Sequence, residues 1–199
     1  SALGSAWGVP MRMSLGYSDH EGILKRDNFT RTTASLNLSP KFLDDHLKVE
    51  LNARGMYTEN KFANRGAIGS AVAYDPTQPV YNGSQYDGYH SWIDSNTGTQ
   101  YNLAPSNPLA LLNLRDDTAE VRRIITNAKF DYNIHNFEDL TATINVGFDK
   151  SNSHGRTQTS ELIPTSDPNF TGSFGGYGNE ATNLLFDAYL TYSKELNED

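Results

Sequence analysis

The sequence predicts an all-β fold: a portion of an antiparallel, up-and-down transmembrane β-barrel whose long external loops contain short helices. Apolar and polar residues alternate with period two along six segments of the chain. Most of these segments run for about 9–12 residues, which suits a tilted membrane-spanning strand better than the roughly 5–6 residues usual in soluble domains. Short and long links alternate between the segments, as they do in outer-membrane barrels.

The clearest alternation lies in residues 140–150, LTATINVGFDK. One face of this strand carries Leu140, Ala142, Ile144, Val146 and Phe148. The other face is polar, and Asn145 and Asp149 lie on it. We expect the apolar face to contact lipid and the polar face to line a wet lumen. The same pattern predicts strands at residues 11–19, 31–38, 47–57, 123–133 and 183–193.

The links between these strands predict the direction of each strand. The short links are 39–46 and 135–139, and the long links are 22–29, 60–121 and 151–182. Because barrels have short periplasmic turns and long external loops, the first strand should rise outward and the next should descend. Aromatic residues then fall where interfacial girdles are expected. They are Tyr17, Tyr57 and Phe148 near the outer strand ends, and Tyr132 and Tyr192 near the inner ends.

The long loops contain further signals. Asn107-Pro108 before LALLNL predicts a helix at 108–114, and a second helix is expected at 64–74, ended by Asp75-Pro76. The run GSFGGYG, residues 172–178, is typical of a flexible loop. Four aromatic residues among turn residues are candidates for contact with a ligand or a partner protein: Tyr86, Tyr89, Trp92 and Tyr101. The alternative is that they pack the loop onto its neighbours.

Composition excludes several classes of protein. A net charge of −8 with scattered signs argues against nucleic-acid binding, and the absence of cysteine excludes disulfides and thiolate metal sites. The five histidines lack metal-ligand spacing, and Asp94–Gly98 resembles half a calcium loop without the closing glutamate. No serine stands in a nucleophile-elbow motif. We therefore predict no catalytic, cofactor or metal residues, and a protein that is not an enzyme.

Several stretches together resemble the barrel of the SusC/RagA-like TonB-dependent transporters of Bacteroidetes outer membranes. They are PMRMSLGYSDHEGILKRDNFTRTTASLNLSPKF, DDHLKVELN, AIGSAVAYDPTQPVY, NPLALL and FDYNIHNFEDLTATINVGFD. The resemblance implies about six strands of a 22-stranded barrel that encloses a plug. It also implies import of oligosaccharides or peptides with a SusD-like surface lipoprotein, powered by the TonB-ExbB-ExbD complex. Residues 1–199 are expected to be barrel only, with the plug and TonB box absent from this chain.

Two other classes of protein remain open from the residues alone. A soluble or surface-attached β-sandwich that binds glycans would have strands of about 5–6 residues and no alternation of long and short loops. A secreted hydrolase fragment would need convergent acidic residues or a metal cluster.

Overall fold

The chain forms one large antiparallel sheet, from which a folded external loop projects, in a computed structural model that describes residues 1–6, 8–137 and 139–194. The strands are β1 (Ala2–Ala6), β2 (Val9–Glu21), β3 (Asn28–Leu38), β4 (Lys41–Phe42), β5 (Leu47–Lys61), β6 (Tyr81–Ser84), β7 (Gly88–Tyr89), β8 (Arg115–Asn133), β9 (Leu140–Thr159) and β10 (Ser173–Tyr192). The helices are α1 (Gly66–Ala73) and α2 (Pro108–Asn113).

The large sheet has the order β1-β2-β3-β5-β8-β9-β10, with β4 paired to β5. Every neighbouring pair is antiparallel, and each strand lies next to the strand that precedes it in this order along the chain. This up-and-down arrangement confirms the predicted fold class, and it contains all six predicted strands in the predicted order. The sequence did not predict β1 or β4, because β1 consists mostly of small residues and β4 has only two residues.

The strands on the outer side are longer than predicted. β8, β9 and β10 contain 19, 20 and 20 residues, so the external links shrink to residues 62–114 and 160–172. The flexible loop predicted at 172–178 is wrong for most of its length, since Ser173 to Gly178 pair with Thr159 to His154 on β9. The hydrophobic pattern ends where the apolar face ends, whereas the ladder hydrogen bonds continue beyond it.

Both predicted helices are present. The Asn107 side chain accepts hydrogen bonds from the backbone N–H groups of Leu109 (3.1 Å) and Ala110 (3.3 Å), which caps α2 as expected. α1 ends at Ala73, and the extended backbone of Tyr74 follows it, before Asp75-Pro76. In the described residues, no helix is long and apolar enough to cross a membrane.

Candidate functional site

The apolar side chains of the large sheet form one continuous face. Ile144 on β9 stands opposite Phe130 on β8 and Ala188 on β10, and this pairing of apolar residues repeats across the strands. The predicted lipid-facing residues Leu140, Ala142, Ile144, Val146 and Phe148 all share this face. Their contact with lipid stays a prediction.

The burial of the two faces is the reverse of that in a water-soluble sheet. On the apolar face, Ile144 is 44% exposed, Phe186 is 70% exposed and Leu15 is 83% exposed. On the polar face, Thr143 is only 4% exposed. Water would disfavour such an exposed apolar surface, because soluble monomers rarely expose contiguous apolar patches beyond a few hundred Å².

The outer limit of the apolar face crosses the sheet diagonally. One row of paired residues runs from Tyr17 on β2 through Tyr57 on β5 and Arg122 on β8 to Glu180 on β10. This row is therefore aromatic at one end and charged at the other, and the apolar face of β10 begins only at Leu184. Strands in membrane barrels are tilted by about 35–45°, so a level apolar band must cut the rows diagonally. The girdle residues Tyr17, Tyr57 and Phe148 lie along this limit and not at the strand ends.

The opposite face carries a hydrogen-bonded polar network near its middle. Asn127 on β8 donates from Nδ2 to Asn145 Oδ1 on β9 (2.7 Å), and Asn145 donates to Asp187 Oδ2 on β10 (3.4 Å). Thr143 Oγ1 donates to Asp131 Oδ1 (2.7 Å). These contacts satisfy polar groups across three adjacent strands, as expected of side chains at the wet side of a barrel wall.

Ion pairs strengthen the same polar face. Arg123 on β8 binds both carboxylate oxygens of Asp149 on β9, at 2.9 and 2.6 Å, in a bidentate arrangement. Lys129 donates to Asp131 at 2.8 Å. The face therefore carries both signs of charge, largely paired within the sheet, and shows no single-sign patch at these strands.

The external loop, residues 62–114, folds around a buried asparagine. Asn107 is 2% exposed, and its Nδ2 donates to the carbonyl oxygen of Val80 at 2.9 Å while its Oδ1 caps α2. The ring of Trp92 packs against those of Tyr74 and His90, with centroid separations of 5.0 and 4.9 Å. Burial raises the pKa of Tyr74, whose hydroxyl lies 2.9 Å from His90 Nδ1.

The four aromatic residues predicted to contact a ligand or partner occupy different environments. Tyr86 and Tyr89 are buried, and their hydroxyl groups accept internal hydrogen bonds from the Gln100 N–H (2.9 Å) and the Asn113 Nδ2 (2.8 Å). Trp92 is partly exposed, whereas Tyr101 is 51% exposed. The structure therefore does not bring the four rings together on one surface. Contact with a ligand or partner stays a prediction, and Tyr101 has the most surface for it.

Three external loops contact one another through hydrogen bonds that the sequence analysis did not predict. Arg26, in the link 22–27, donates to the carbonyl oxygen of Asn113 (2.6 Å) and to Asp116 Oδ1 (3.0 Å). Tyr86 donates to the carbonyl oxygen of Thr165 (3.2 Å), which joins the loop 62–114 to the link 160–172. These contacts join residues that are far apart in the sequence, so no local pattern could have predicted them.

In the described parts of the chain, no group of three or more histidine or acidic side chains is placed to hold a metal. Asp94 Oδ1 accepts the Asn96 N–H at 2.9 Å, which makes a local turn. Two of the five histidines do meet: the rings of His46 and His135 stack between the two inner links, with centroids 3.9 Å apart.

Comparison with known proteins gives consistent results. The chain is 39% identical over 205 aligned residues to the TonB-dependent receptor SusC of Bacteroides thetaiotaomicron, which covers 94% of this chain and 20% of SusC. It is 28% identical to the TonB-dependent receptor P26 of Formosa agariphila, over 76% of this chain and 14% of P26. No family model matches the sequence.

Solved structures share the fold. Structures of the RagAB peptide transporter, one of them in a closed-closed state, superpose with TM-scores of 0.68 and 0.67 at 18% and 20% identity. Each superposition covers 98% of this chain and 22% of the other chain. The chain thus spans about a fifth of the length of SusC and of the RagAB chain.

The sheet order and its two faces define the class of protein: this chain is part of the wall of an outer-membrane β-barrel. It belongs to the SusC/RagA-like TonB-dependent receptors, as the similarity to SusC along almost its whole length shows. The resemblance found in the sequence is confirmed.

Proposed function

We propose that this chain is the barrel segment of a TonB-dependent transporter that imports oligosaccharides or peptides across the outer membrane. The observation that carries the proposal is the two-faced sheet, with exposed apolar residues on one side and a satisfied polar network on the other. Such a wall separates lipid from a water-filled lumen. SusC is named a TonB-dependent receptor and RagAB a peptide transporter, which supports import as the activity of the complete protein.

The sheet edges support a larger barrel. In the described residues, β1 and β10 each pair with a strand on one side only. An open edge cannot face lipid, because its backbone N–H and C=O groups would lack partners. We infer that further strands of the complete protein pair with both edges, and that a plug fills the lumen beside the polar face.

The similarity to SusC and to the RagAB transporter supports two kinds of partner for the complete protein. A SusD-like lipoprotein would cover the external loops, where the loop 62–114 is folded and joined to its neighbours. The TonB-ExbB-ExbD complex would act on the plug from the periplasm and drive release of the substrate inward. The residues of this chain contribute wall, lumen lining and external contact surface.

The alternative of a glycan-binding β-sandwich does not fit the structure. A sandwich buries the apolar face of one sheet against a second sheet about 10 Å away. Within the described ranges, the other sheet is the two-stranded hairpin β6-β7, which belongs to the external loop. The strands of 11–20 residues in the wall are also longer than a sandwich of this size needs.

Cysteine labelling tests the topology behind this proposal. In a cysteine-free version of the complete receptor, Ser95→Cys in the external loop should react with an impermeant maleimide on intact cells. Ser39→Cys, in a short link, should react only after the outer membrane is opened. Labelling of Ser39→Cys on intact cells would reverse the proposed orientation.

Growth assays test the transport activity. Deletion of the complete receptor should abolish growth on at least one oligosaccharide or peptide supplied as the sole carbon source, and the wild-type gene should restore it. An affinity-tagged receptor should copurify with a surface lipoprotein. The proposal would be contradicted if the deletion strain grew normally on every tested source and if the tagged receptor assembled as a barrel without a copurifying lipoprotein.

A further inference from the structure

The apolar face contains a groove over the strands β2, β3 and β5. Its floor is formed by small residues on two neighbouring strands, Ala34 on β3 and Ala53 and Gly55 on β5. Larger side chains stand beside them, namely Leu15, Leu36 and Ile124. The cavity between these side chains has a volume of about 720 Å³.

Gly55 makes the groove deep. A glycine in a strand interior weakens the strand, and it commonly marks a place where a ligand or another backbone approaches closely. Neither conformation nor packing within the chain requires glycine here: its φ is not positive, and a Cβ atom would meet nothing within 4 Å. The residue is therefore best explained by what it leaves open on the surface.

The groove continues outward to Arg122. A second depression of about 350 Å³ shares Ala34, Gly55 and Ile124 with the first and reaches Tyr57 and Arg122. The Arg122 guanidinium lies 5.7 Å from the centre of the Tyr57 ring, and its side chain is 69% exposed. Arg122 forms an ion pair with Glu120, whose Oε2 lies 3.8 Å from Arg122 Nη2, beyond hydrogen-bond distance, and the Tyr57 hydroxyl donates to Glu59 Oε1 at 2.9 Å. The N–H groups of Arg122 therefore remain available for two parallel hydrogen bonds to an anion such as a phosphate.

We propose that this groove binds one outer-leaflet lipid, with an acyl chain over Ala34 and Gly55 and a phosphate of the head group on Arg122. The proposal rests on the outer-membrane location and on the outward direction of the Arg122 end. Bulk lipid tails are as apolar as the groove, so affinity must come from close packing and from the phosphate contact and not from the hydrophobic effect alone. Charge complementarity between Arg122 and a phosphorylated head group selects the occupant.

Native mass spectrometry of the complete receptor in detergent tests this site. The probes are lipid A carrying phosphate and the same lipid after removal of phosphate. Wild type should retain the phosphorylated probe preferentially. Gly55→Leu should fill the groove and reduce retention of both probes. Arg122→Gln should reduce retention of the phosphorylated probe about tenfold, to the level of the dephosphorylated one.

Matched variants make the result specific. Ala188→Leu adds bulk to the apolar face on β10, outside the groove, and Arg12→Gln removes a positive charge from the opposite face of β2; both should behave like wild type. If Gly55→Leu fails to give a heat-modifiable barrel, Ala34→Leu on the neighbouring strand replaces it. Equal retention of lipid A by Gly55→Leu and Ala188→Leu would contradict lipid binding in the groove. An unchanged preference of Arg122→Gln for the phosphorylated lipid would contradict the contact between Arg122 and the head group. Failure of wild type itself to assemble as a barrel would instead contradict the proposed function.

Discussion

The wall and the external loop of this chain differ in how far they expose their large apolar side chains. In the wall, leucine, isoleucine and phenylalanine are exposed while Thr143 is buried. In the loop 62–114, Tyr89, Ala110 and Leu112 are buried, and the polar residues inside are hydrogen-bonded. The loop is thus built like a small water-soluble domain, whereas the wall is built for a solvent that is apolar on one side.

This difference explains why a low mean hydropathy of −0.59 is compatible with an outer-membrane protein. Each wall strand contributes apolar residues at alternate positions only, and the polar residues of the loops lower the average hydropathy further. The average therefore describes neither region. Substitutions that have little effect in one region should be severe in the other, and the following experiments use that contrast.

The largest effect is expected from charge on the apolar face. Ile144→Arg in the complete receptor should block assembly, because an arginine near the bilayer midplane costs about 2–4 kcal/mol on the lipid face of a barrel. Asn145→Arg, one residue further and on the polar face, should assemble far better. The measurement is the amount of heat-modifiable barrel in outer-membrane fractions. Equal amounts of barrel for the two variants would contradict the assignment of faces.

A smaller effect is expected from the centre of the external loop. Asn107→Ala removes the cap of α2 and the hydrogen bond to Val80, which should destabilise the loop by about 1–3 kcal/mol while the barrel still assembles. Amide hydrogen exchange of residues 66–73 and 109–113 should become faster. Asn96→Ala, in an exposed turn of the same loop, serves as the control and should leave exchange unchanged. Loss of the barrel in Asn107→Ala would show that wall and loop do not fold independently.

The smallest effect is expected from the contact between loops. Arg26→Ala removes the pairing with Asp116, in which both side chains are over a third exposed, and the bond to Asn113. Exposed ion pairs contribute only about 0–1 kcal/mol, so exchange should rise locally at residues 112–116. Lys25→Ala, the neighbouring exposed charge, provides the comparison. An exchange increase that spread across β8 would mean that Arg26 supports the wall as well.

The sequence predicted the wall better than the loop. Period-two alternation located all six predicted strands, because the apolar face must be continuous for the sheet to meet an apolar solvent. The same pattern could not locate the outer halves of β9 and β10, where stretches such as SNSHGRTQT are polar on both faces yet still pair in the ladder. β1 was missed because small residues such as Ala2 and Gly4 carry little hydrophobic signal.

In the loop, the features that depend on neighbouring residues were predicted correctly, whereas the contacts between distant residues were not predicted. Asn107-Pro108 predicted α2 correctly, because a cap depends on residues two or three positions away. The burial of Tyr86 and Tyr89 depends instead on partners such as Thr165 and Asn113, far along the chain. The local sequence around an aromatic residue in a turn-rich segment does not indicate whether its side chain is buried or exposed. The sequence therefore could not distinguish the buried from the exposed members of the four candidates.

The most direct test of the central claim, that one face of this wall contacts lipid and the other water, is a spin-label scan of residues 140–149 in the complete receptor reconstituted into bilayers. Collision with oxygen, which is concentrated in lipid, should be high at Ala142, Ile144, Val146 and Phe148. Collision with a water-soluble nickel chelate should be higher at the odd-numbered positions, apart from those held against neighbouring side chains. An alternation of period two in this phase is the predicted result; the opposite phase, or no alternation, would contradict the account.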